Sequence, residues 1–175
     1  MLHPRTALKI ACLGLALLLP GACGYQPLLA NRGAHAPVPG GLAQLSIAPI
    51  EEREGQLLHG HLERLLLPPP SARQSVGRFR LEITQLTDTI TRTVTDPDGT
   101  YSLNEMTVGA SMNLNDQGAT LFSDRVEVRV NYSVVDDQYA VVTSRENALE
   151  RALNELANLI AVRTASALSR HLSSS

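Results

Sequence analysis

The sequence predicts an α+β domain with the element order β-α-β-β-β-α, in which two helices pack on one face of a four-stranded mixed sheet. Two stretches, one in the first half of the chain and one at its C-terminus, repeat apolar residues every three or four positions, as amphipathic helices do. Three long stretches between them alternate apolar and polar residues, which is typical of strands with one buried face. A short strand-like stretch precedes the first helix.

The first strand and the first helix are predicted between residues 45 and 66. The stretch from Leu45 to Ile50 alternates apolar and small residues, and Pro49 must lie at the end or edge of this strand because proline lacks an amide donor. Glutamates follow, as expected in the first turn of a helix. The helix then presents an apolar face formed by Leu58, Leu62, Leu65 and Leu66. Three prolines from Pro68 to Pro70 end it.

The first long strand is predicted from Arg78 to Val94, and its apolar pattern changes phase once. The first phase contains Phe79, Leu81 and Ile83, and the second contains Leu86 and Ile90. A single change of phase is what a β-bulge produces. The next four residues, Asp96 to Gly99, combine proline and glycine in the order typical of a tight turn.

Two further strands are predicted from Tyr101 to Leu114 and from Thr120 to Val135, joined by a hairpin turn at Asn115 to Gly118. The last strand keeps its apolar residues in one phase. Its other phase carries Arg125, Glu127, Arg129 and Asn131. One face of the sheet is therefore expected to be dry, and the other to face water or a partner.

The C-terminal helix has the most regular pattern in the chain. Thr143 and Glu146 have the spacing of a capping box, which predicts that the helix begins there. Its apolar stripe, which we interpret as core, contains Leu149, Leu153, Leu156, Ile160, Ala167 and Leu168. Residues 173–175 are three serines at the chain end and are expected to fray.

The N-terminal segment has the features of a secretion signal. Arg5 and Lys9 precede an uncharged apolar run that is shorter than the roughly 20 residues of a membrane-spanning helix. Small or turn-forming residues then lead to Cys23, and this run resembles a bacterial lipobox. We therefore predict a lipoprotein signal peptide at residues 1–22 and acylation of Cys23. The alternative is a plain secretory signal that is cleaved near Ala22.

The mature chain is predicted to have three parts. Residues 23–41 form a lipidated N-terminus and a flexible tether, because they are rich in proline and glycine and poor in apolar residues. Residues 42–172 form a single α+β domain, and residues 173–175 form the frayed tail. The tether and the lipid would attach the domain to a membrane.

The sequence carries no recognisable catalytic or metal motif. It contains neither a Gly-x-Ser-x-Gly sequence nor a glycine-rich phosphate loop, and no set of nucleophile, base and orienting residue can be proposed. His59 and His61 are two positions apart, so a helix would point them to different faces rather than at one ion. The net charge is −2, without a basic run, which argues against nucleic-acid binding. We expect no enzymatic activity, no metal and no cofactor.

Five arginines lie on or near the long strands: Arg78, Arg80, Arg92, Arg125 and Arg129. A guanidinium group suits the phosphates of an anionic glycolipid, because it donates paired hydrogen bonds. Arginines on the wet face of a sheet more commonly form cross-strand pairs with carboxylates, here with Glu82, Glu105 and Glu127. Arg92 is the best candidate for ligand binding because it precedes the predicted Asp96–Gly99 turn.

The six residues from Cys23 to Leu28, Cys-Gly-Tyr-Gln-Pro-Leu, resemble the start of the mature LPS-assembly lipoproteins, the LptE family. Members commonly begin with a lipidated Cys-Gly-aromatic sequence that is followed by a Pro-Leu or Leu-Arg pair. The predicted order and size of the remaining elements also resemble this family. Gly24 is not an aspartate, so by analogy with lipoprotein sorting the chain is not expected to stay in the inner membrane.

The resemblance implies a lipid-anchored protein on the periplasmic side of the outer membrane. The partner in this family is the large LPS-assembly β-barrel, LptD. Such proteins plug this barrel, help it to assemble, and assist it in delivering lipopolysaccharide to the outer leaflet. The family's lipopolysaccharide contacts are basic residues near strand–loop junctions, which implies a ligand-binding role for Arg92. The alternative is a non-enzymatic periplasmic lipoprotein that acts as a scaffold or accessory subunit of another envelope complex.

Overall fold

A computed structural model describes residues 41–72, 77–95, 101–135 and 138–174. The described residues have the predicted order of strands and helices. The strands are β1 (Leu45–Ile47), β2 (Phe79–Thr95), β3 (Tyr101–Asp116) and β4 (Ala119–Val135), and the helices are α1 (Glu52–Leu66) and α2 (Gln138–Ser174). Short 3₁₀ turns at Leu42–Gln44 and Pro70–Ala72 precede β1 and follow α1.

The four strands form one mixed sheet in the order β1-β2-β3-β4. β1 is parallel to β2, with Leu45 opposite Phe79, whereas the other neighbours are antiparallel. The pairing with β1 ends near Leu81, whose carbonyl accepts a hydrogen bond of 2.8 Å from the amide of Ala48. Beyond this point β2 is an edge strand in the part of the chain that the structure describes.

The core lies between one face of the sheet and the two helices. α2 packs on β3 and β4, and α1 packs on β1 and α2. The helix residues with no exposed surface include Leu58, Leu62, Leu153, Leu156 and Ile160. Fully burying one such side chain contributes about 1.5–3 kcal/mol relative to leaving it exposed. The apolar stripes that the sequence predicted therefore form the core.

The opposite face of the sheet is polar. Hydroxyl, amide and charged side chains lie side by side there across the three long strands. Two neighbouring rows are Thr89, Thr107 and Arg129, and Thr91, Glu105 and Asn131. We call this surface the outer face.

The predicted β-bulge interrupts β2 between Thr84 and Thr87, but the expectation of a single break is incomplete, because the register shifts again between Arg92 and Val94. Gln85 has a φ of 52°, a left-handed conformation, and its side-chain oxygen accepts a hydrogen bond of 3.0 Å from Ser111 Oγ on the outer face. The extra residue shifts the alternation of β2 by one position. Ile90 consequently lies on the same face as Leu81.

The turn between β3 and β4 is a two-residue hairpin. Gln117 and Gly118 both have positive φ, 49° and 94°, as the turn type that matches the twist of antiparallel strands requires. The hairpin is confirmed, although the strands run to Asp116 and resume at Ala119. The predicted turn at 96–99 lies outside the described residues.

The C-terminal helix is longer than the sequence suggested. It begins at Gln138, so the prediction of a capping box at Thr143 is wrong, and Thr143 and Glu146 are exposed side chains within the helix. No proline or glycine lies between residues 138 and 143 to stop the helix from continuing. It also continues through Ser174, beyond the predicted domain end at residue 172. Neither described helix combines the length and apolar character that are needed to cross a bilayer.

Candidate functional site

Arg92 lies near the end of β2 with an exposed side chain. It pairs with Asn104 of β3, which in turn pairs with Tyr132 of β4. Asn104 Nδ2 donates a hydrogen bond of 3.4 Å to Tyr132 Oη. These three residues form a polar row across the sheet, which we call the Arg92 row. It lies on the face that carries the helices.

The bulge determines the face on which Arg92 lies. Residues before it with even numbers, such as Arg80, project to the outer face. Since the bulge adds one residue, the even-numbered residues that follow project to the helix-bearing face instead. Arg92 is therefore separated from the arginines of the outer face, although all of them belong to the same sheet.

Asn104 offers an acceptor next to Arg92. Its Oδ1 atom is buried and has no hydrogen-bond partner among the described residues. An unsatisfied buried acceptor costs about 1–3 kcal/mol. Directly opposed residues of antiparallel strands have Cβ atoms about 4.5–5.5 Å apart, so this amide lies next to Arg92. The row can thus offer an anion the exposed guanidinium of Arg92, whereas Asn104 Oδ1 is covered by protein in this structure.

Apolar side chains are exposed at the same end of the domain. Ile90, two residues before Arg92, is 38% exposed. An ion pair of 3.7 Å between Arg145 and Asp88 brings the first turns of α2 close to this part of β2. Those turns expose Tyr139 by 82% and Val142 by 54%. A cation beside exposed apolar groups suits an amphiphilic anion, which carries both phosphate and hydrocarbon.

Three of the other strand arginines are occupied by carboxylates. Arg78 pairs with Asp116 at 2.7 Å, Arg80 with Glu82 at 2.9 Å, and Arg129 with Glu127 at 2.8 Å. The last two pairs join residues i and i+2 of one strand, so the expectation of cross-strand pairs is wrong for them. Residues two apart on a strand share a face, which makes such pairs geometrically available.

Arg125 projects from the outer face and forms no ion pair among the described residues. Its Nη2 atom lies 3.8 Å from the position that a Cβ of Gly109 would occupy, so the guanidinium covers this glycine. Arg125 and Arg92 are therefore the strand arginines that remain open to an anion, on opposite faces of the sheet.

Arg78 and Asp116 belong to a charged cluster at the other end of the sheet. Hydrogen bonding from Arg78 lowers the pKa of Asp116 below its usual range and raises the pKa of Arg78. His171 of α2 also approaches the carboxylate, with Nε2 3.3 Å from Oδ2. The same imidazole packs edge-on against Phe79, with ring centroids 6.1 Å apart. This cluster joins the start of β2, the end of β3 and the end of α2.

His59 and His61 both lie on α1, and His61 contacts an arginine of the same helix. Arg64 Nη2 lies 2.8 Å from His61 Nδ1. Burial is the main cause that lowers the pKa of His61, and the charge of Arg64 adds to it. Within the described ranges, no group of three or more His, Cys, Asp or Glu residues could hold a metal ion.

Cys23 lies outside the described residues, so its acylation stays a prediction from the sequence. Neither Asn104, which lies opposite Arg92, nor the ion pair of Asp88 with Arg145 is predicted by the sequence. Counting inward from the turn does not find Asn104, because the register shifts between Arg92 and Val94; without that shift Arg92 would lie opposite Glu105. The contact between Asp88 and Arg145 depends on where α2 crosses the sheet, and no local pattern encodes that position.

The fold is shared with solved structures of proteins described as lipoproteins. A crystal structure from Caulobacter crescentus CB15 is 24% identical with a TM-score of 0.57, and the match covers 75% of this chain and 96% of that one. The solution NMR structure of an uncharacterized lipoprotein B from Nitrosomonas europaea is 14% identical with a TM-score of 0.51, covering 73% and 86%. No protein-family model and no curated protein matches the sequence. At these identities the likeness shows the fold.

Proposed function

We propose that this chain is an outer-membrane lipoprotein, acylated at Cys23, that plugs the LPS-assembly β-barrel and helps it to assemble. In this role it also assists the delivery of lipopolysaccharide to the outer leaflet. The role is non-enzymatic and needs no metal or cofactor. Arg92 is the residue that we assign to lipopolysaccharide contact.

The observation that carries this proposal is the run from Cys23 to Leu28 followed by a domain of this fold. The run supplies an acylation site and resembles the mature start of LPS-assembly lipoproteins. The domain that follows has a fold also found in proteins described as lipoproteins. The sequence signature and the three-dimensional likeness are independent of each other, and both favour a lipid-anchored envelope protein.

The outer face supports the plug role on physical grounds. The lumen of a large membrane barrel is polar, so a plug needs a polar surface that does not require a dry interface. Two ion pairs lie on this face, Arg80–Glu82 and Arg129–Glu127, and in each pair the charges neutralise each other. Hydroxyl and amide groups lie between the two pairs. Such a surface can contact a wet lumen, in which water or an acidic group of the barrel would satisfy Arg125.

The Arg92 row supports the lipopolysaccharide contact. Lipopolysaccharide carries phosphate, sugar hydroxyls and acyl chains. Arg92 provides a guanidinium for phosphate, and Ile90 beside it provides apolar surface for hydrocarbon. This set of groups fits an amphiphilic glycolipid better than it fits a soluble anion.

Copurification tests the proposal. A C-terminally tagged copy, expressed in its Gram-negative host, would be extracted from outer membranes in mild detergent and washed in high salt before its partners are identified. An untagged strain and a strain with an unrelated tagged outer-membrane lipoprotein serve as controls. We expect a large outer-membrane barrel in stoichiometric amount with the tagged chain, and no such barrel in either control.

The alternative function predicts a different set of partners. Recovery of cell-wall or inner-membrane components without a barrel would contradict the plug role and favour the scaffold or accessory subunit of another envelope complex. A barrel that is lost in high salt would also contradict it, because a plug inside a lumen is held by a large enclosed surface rather than by screened charges alone.

A further inference from the structure

Among the described residues, the exposed part of β2 after the bulge forms an open sheet edge. β1 covers β2 only as far as Leu81, and no described strand pairs with the residues that follow. The side chains of Thr84 and of residues 87–92 are exposed. An unpaired edge of this length can accept another strand through its main-chain hydrogen bonds.

The main-chain groups at this edge can be assigned from the hydrogen bonds near the bulge. The carbonyl of Leu81 faces outward, because it accepts a hydrogen bond from Ala48. Outward and inward directions alternate along a strand, and the bulge shifts the alternation by one residue. The amides and carbonyls of Asp88, Ile90 and Arg92 therefore point away from β3, toward the open side.

The usual protections against strand addition are weak here. Residues 84–92 contain neither proline nor lysine, and four of the nine are threonines, which favour strands. Ile90 exposes 38% of its surface beside this edge. The two charged residues flank it symmetrically, with Asp88 two positions before and Arg92 two positions after.

We propose that the edge of β2 pairs with the same edge of a second copy of this chain, antiparallel, about a two-fold axis at Ile90. In this register Asp88 of each copy lies opposite Arg92 of the other, and Ile90 lies opposite Ile90. Because outward-facing residues meet outward-facing residues, both main-chain hydrogen bonds of each of these pairs can form. The result is a continuous eight-stranded sheet with one self-complementary interface.

Charge complementarity selects this register over its neighbours. A two-fold axis at Asp88 would place two carboxylates directly opposite each other, which is unfavourable. An axis at Thr89 would place Asp88 opposite Ile90 and leave both charges without a cross-strand partner. With the axis at Ile90, the two ion pairs lie on either side of an apolar contact, on the helix-bearing face.

This pairing is separate from the proposed function. It needs neither the barrel nor lipopolysaccharide, so it describes the chain before it meets those partners. Loss of the dimer would leave the copurification experiment untouched, and a failed copurification would leave the dimer untouched. The two proposals can therefore fail independently.

Charge reversal tests the register. The full chain would be purified in detergent without the barrel, and its association constant measured by sedimentation equilibrium. We expect a dimer for the wild type and at least about tenfold weaker association for Asp88→Arg and for Arg92→Asp, since each places like charges opposite one another. The double variant restores the pairs and should associate within a few-fold of wild type. Glu127→Arg makes the same change of charge on β4 and should not weaken the dimer.

A monomeric wild type would overturn the proposal. A dimer that survives Asp88→Arg, or a double variant that stays as weak as the single ones, would show that another surface is used.

Cross-linking gives a second test that does not alter the charges. In Ile90→Cys the two thiols face each other across the axis, and a short bismaleimide should join them into a covalent dimer. The matched control, Ser133→Cys, places an exposed thiol on β4 and should stay monomeric. The wild type, treated in the same way, reports any linkage through Cys12 or Cys23. Failure of Ile90→Cys to link above these controls contradicts the pairing.

Discussion

Arg78 and Asp116 join the start of β2 to the end of β3 through a two-point contact. Arg78 Nε donates to Oδ1 at 2.9 Å, and Nη2 donates to Oδ2 at 2.7 Å. The same guanidinium lies 5.0 Å from the centre of the Phe79 ring, at the edge of the core. The contact fixes the register of β2 and β3 at the end that is farthest from the Arg92 row.

This contact makes stability depend on pH in the acid range. The pKa of Asp116 is lowered in the folded chain, chiefly by its hydrogen bonds from Arg78. The folded state therefore holds this carboxylate ionised more tightly than the unfolded chain does. The resulting stability is present above the unfolded carboxyl pKa of about 3.9 and is lost as the pH falls through the lower folded value.

Asp116→Asn should therefore unfold at lower urea concentration than wild type at pH 7, and the difference should shrink as the pH falls below about 4. Urea unfolding at pH 7 and at a pH below about 4, followed by circular dichroism, measures this difference in stability. Glu82→Gln, which removes the exposed partner of Arg80, is the control and should change stability by no more than about 0.5 kcal/mol. An Asp116→Asn defect of equal size at both pH values would contradict the linkage.

Arg92→Ala should weaken lipopolysaccharide binding by roughly 10- to 150-fold, because a charge-assisted hydrogen bond to phosphate contributes about 1.5–3 kcal/mol. Binding of purified full chain to immobilised lipopolysaccharide measures this. Arg80→Ala removes an arginine from the outer face that is already paired with Glu82, and it should change binding by less than about twofold. Equal losses in both variants would indicate nonspecific attraction rather than a site at Arg92.

The bulge residue Gln85 provides a test of backbone strain. Its φ of 52° is costly for residues other than glycine by about 1–2 kcal/mol, and more so for a β-branched side chain. Gln85→Val should therefore destabilise the chain by at least about 1 kcal/mol, whereas Gln85→Gly relieves the strain and should be neutral or slightly stabilising. Thermal unfolding of the two variants compares them. If valine were tolerated as well as glycine, the left-handed conformation would be wrong.

The bulge also shows how far the sequence predicts this fold. A change of phase between Ile83 and Leu86 was enough to predict it, because side chains in a strand must alternate and a break needs a structural cause. The face on which Arg92 lies follows from the same count. Arg80 and Arg129 were expected to pair with carboxylates of neighbouring strands, but each pairs with a glutamate of its own strand. The side-chain rotamer decides which neighbour a long arginine reaches, and the order of the strands does not reveal it.

Helix boundaries were less predictable than strands. The pair Thr143 and Glu146 matched a capping box, yet α2 begins five residues earlier at Gln138. A capping pattern competes with continuation of the helix, and no proline or glycine between residues 138 and 143 stops the helix from continuing. A match to a capping pattern alone therefore does not locate the start of a helix.

The packing of α2 predicts a contrast between two leucines of that helix. Leu156 has no exposed surface, whereas Leu159 is 41% exposed. Leu156→Ala should destabilise the chain by about 2–5 kcal/mol, because it removes buried contacts and leaves a cavity. Leu159→Ala should stay within about 1 kcal/mol of wild type, since most of the lost surface faced water. Urea unfolding of both variants tests the contrast, and equal losses would mean that the helix packs with a different face.

Cys23→Ala should abolish the lipid anchor. If Cys23 is the acylated residue, the variant should incorporate no palmitate label, and any chain that is not held in the barrel should leave the membrane fraction. Cys12→Ala is the matched control. Cys12 lies in the apolar run of the signal segment, so this variant should be labelled and fractionate as wild type does.

Labelling of Cys23→Ala, or an unlabelled wild type, would contradict acylation at Cys23 and favour the plain secretory signal. Loss of the label together with loss of barrel copurification would show that the anchor brings the domain to its partner.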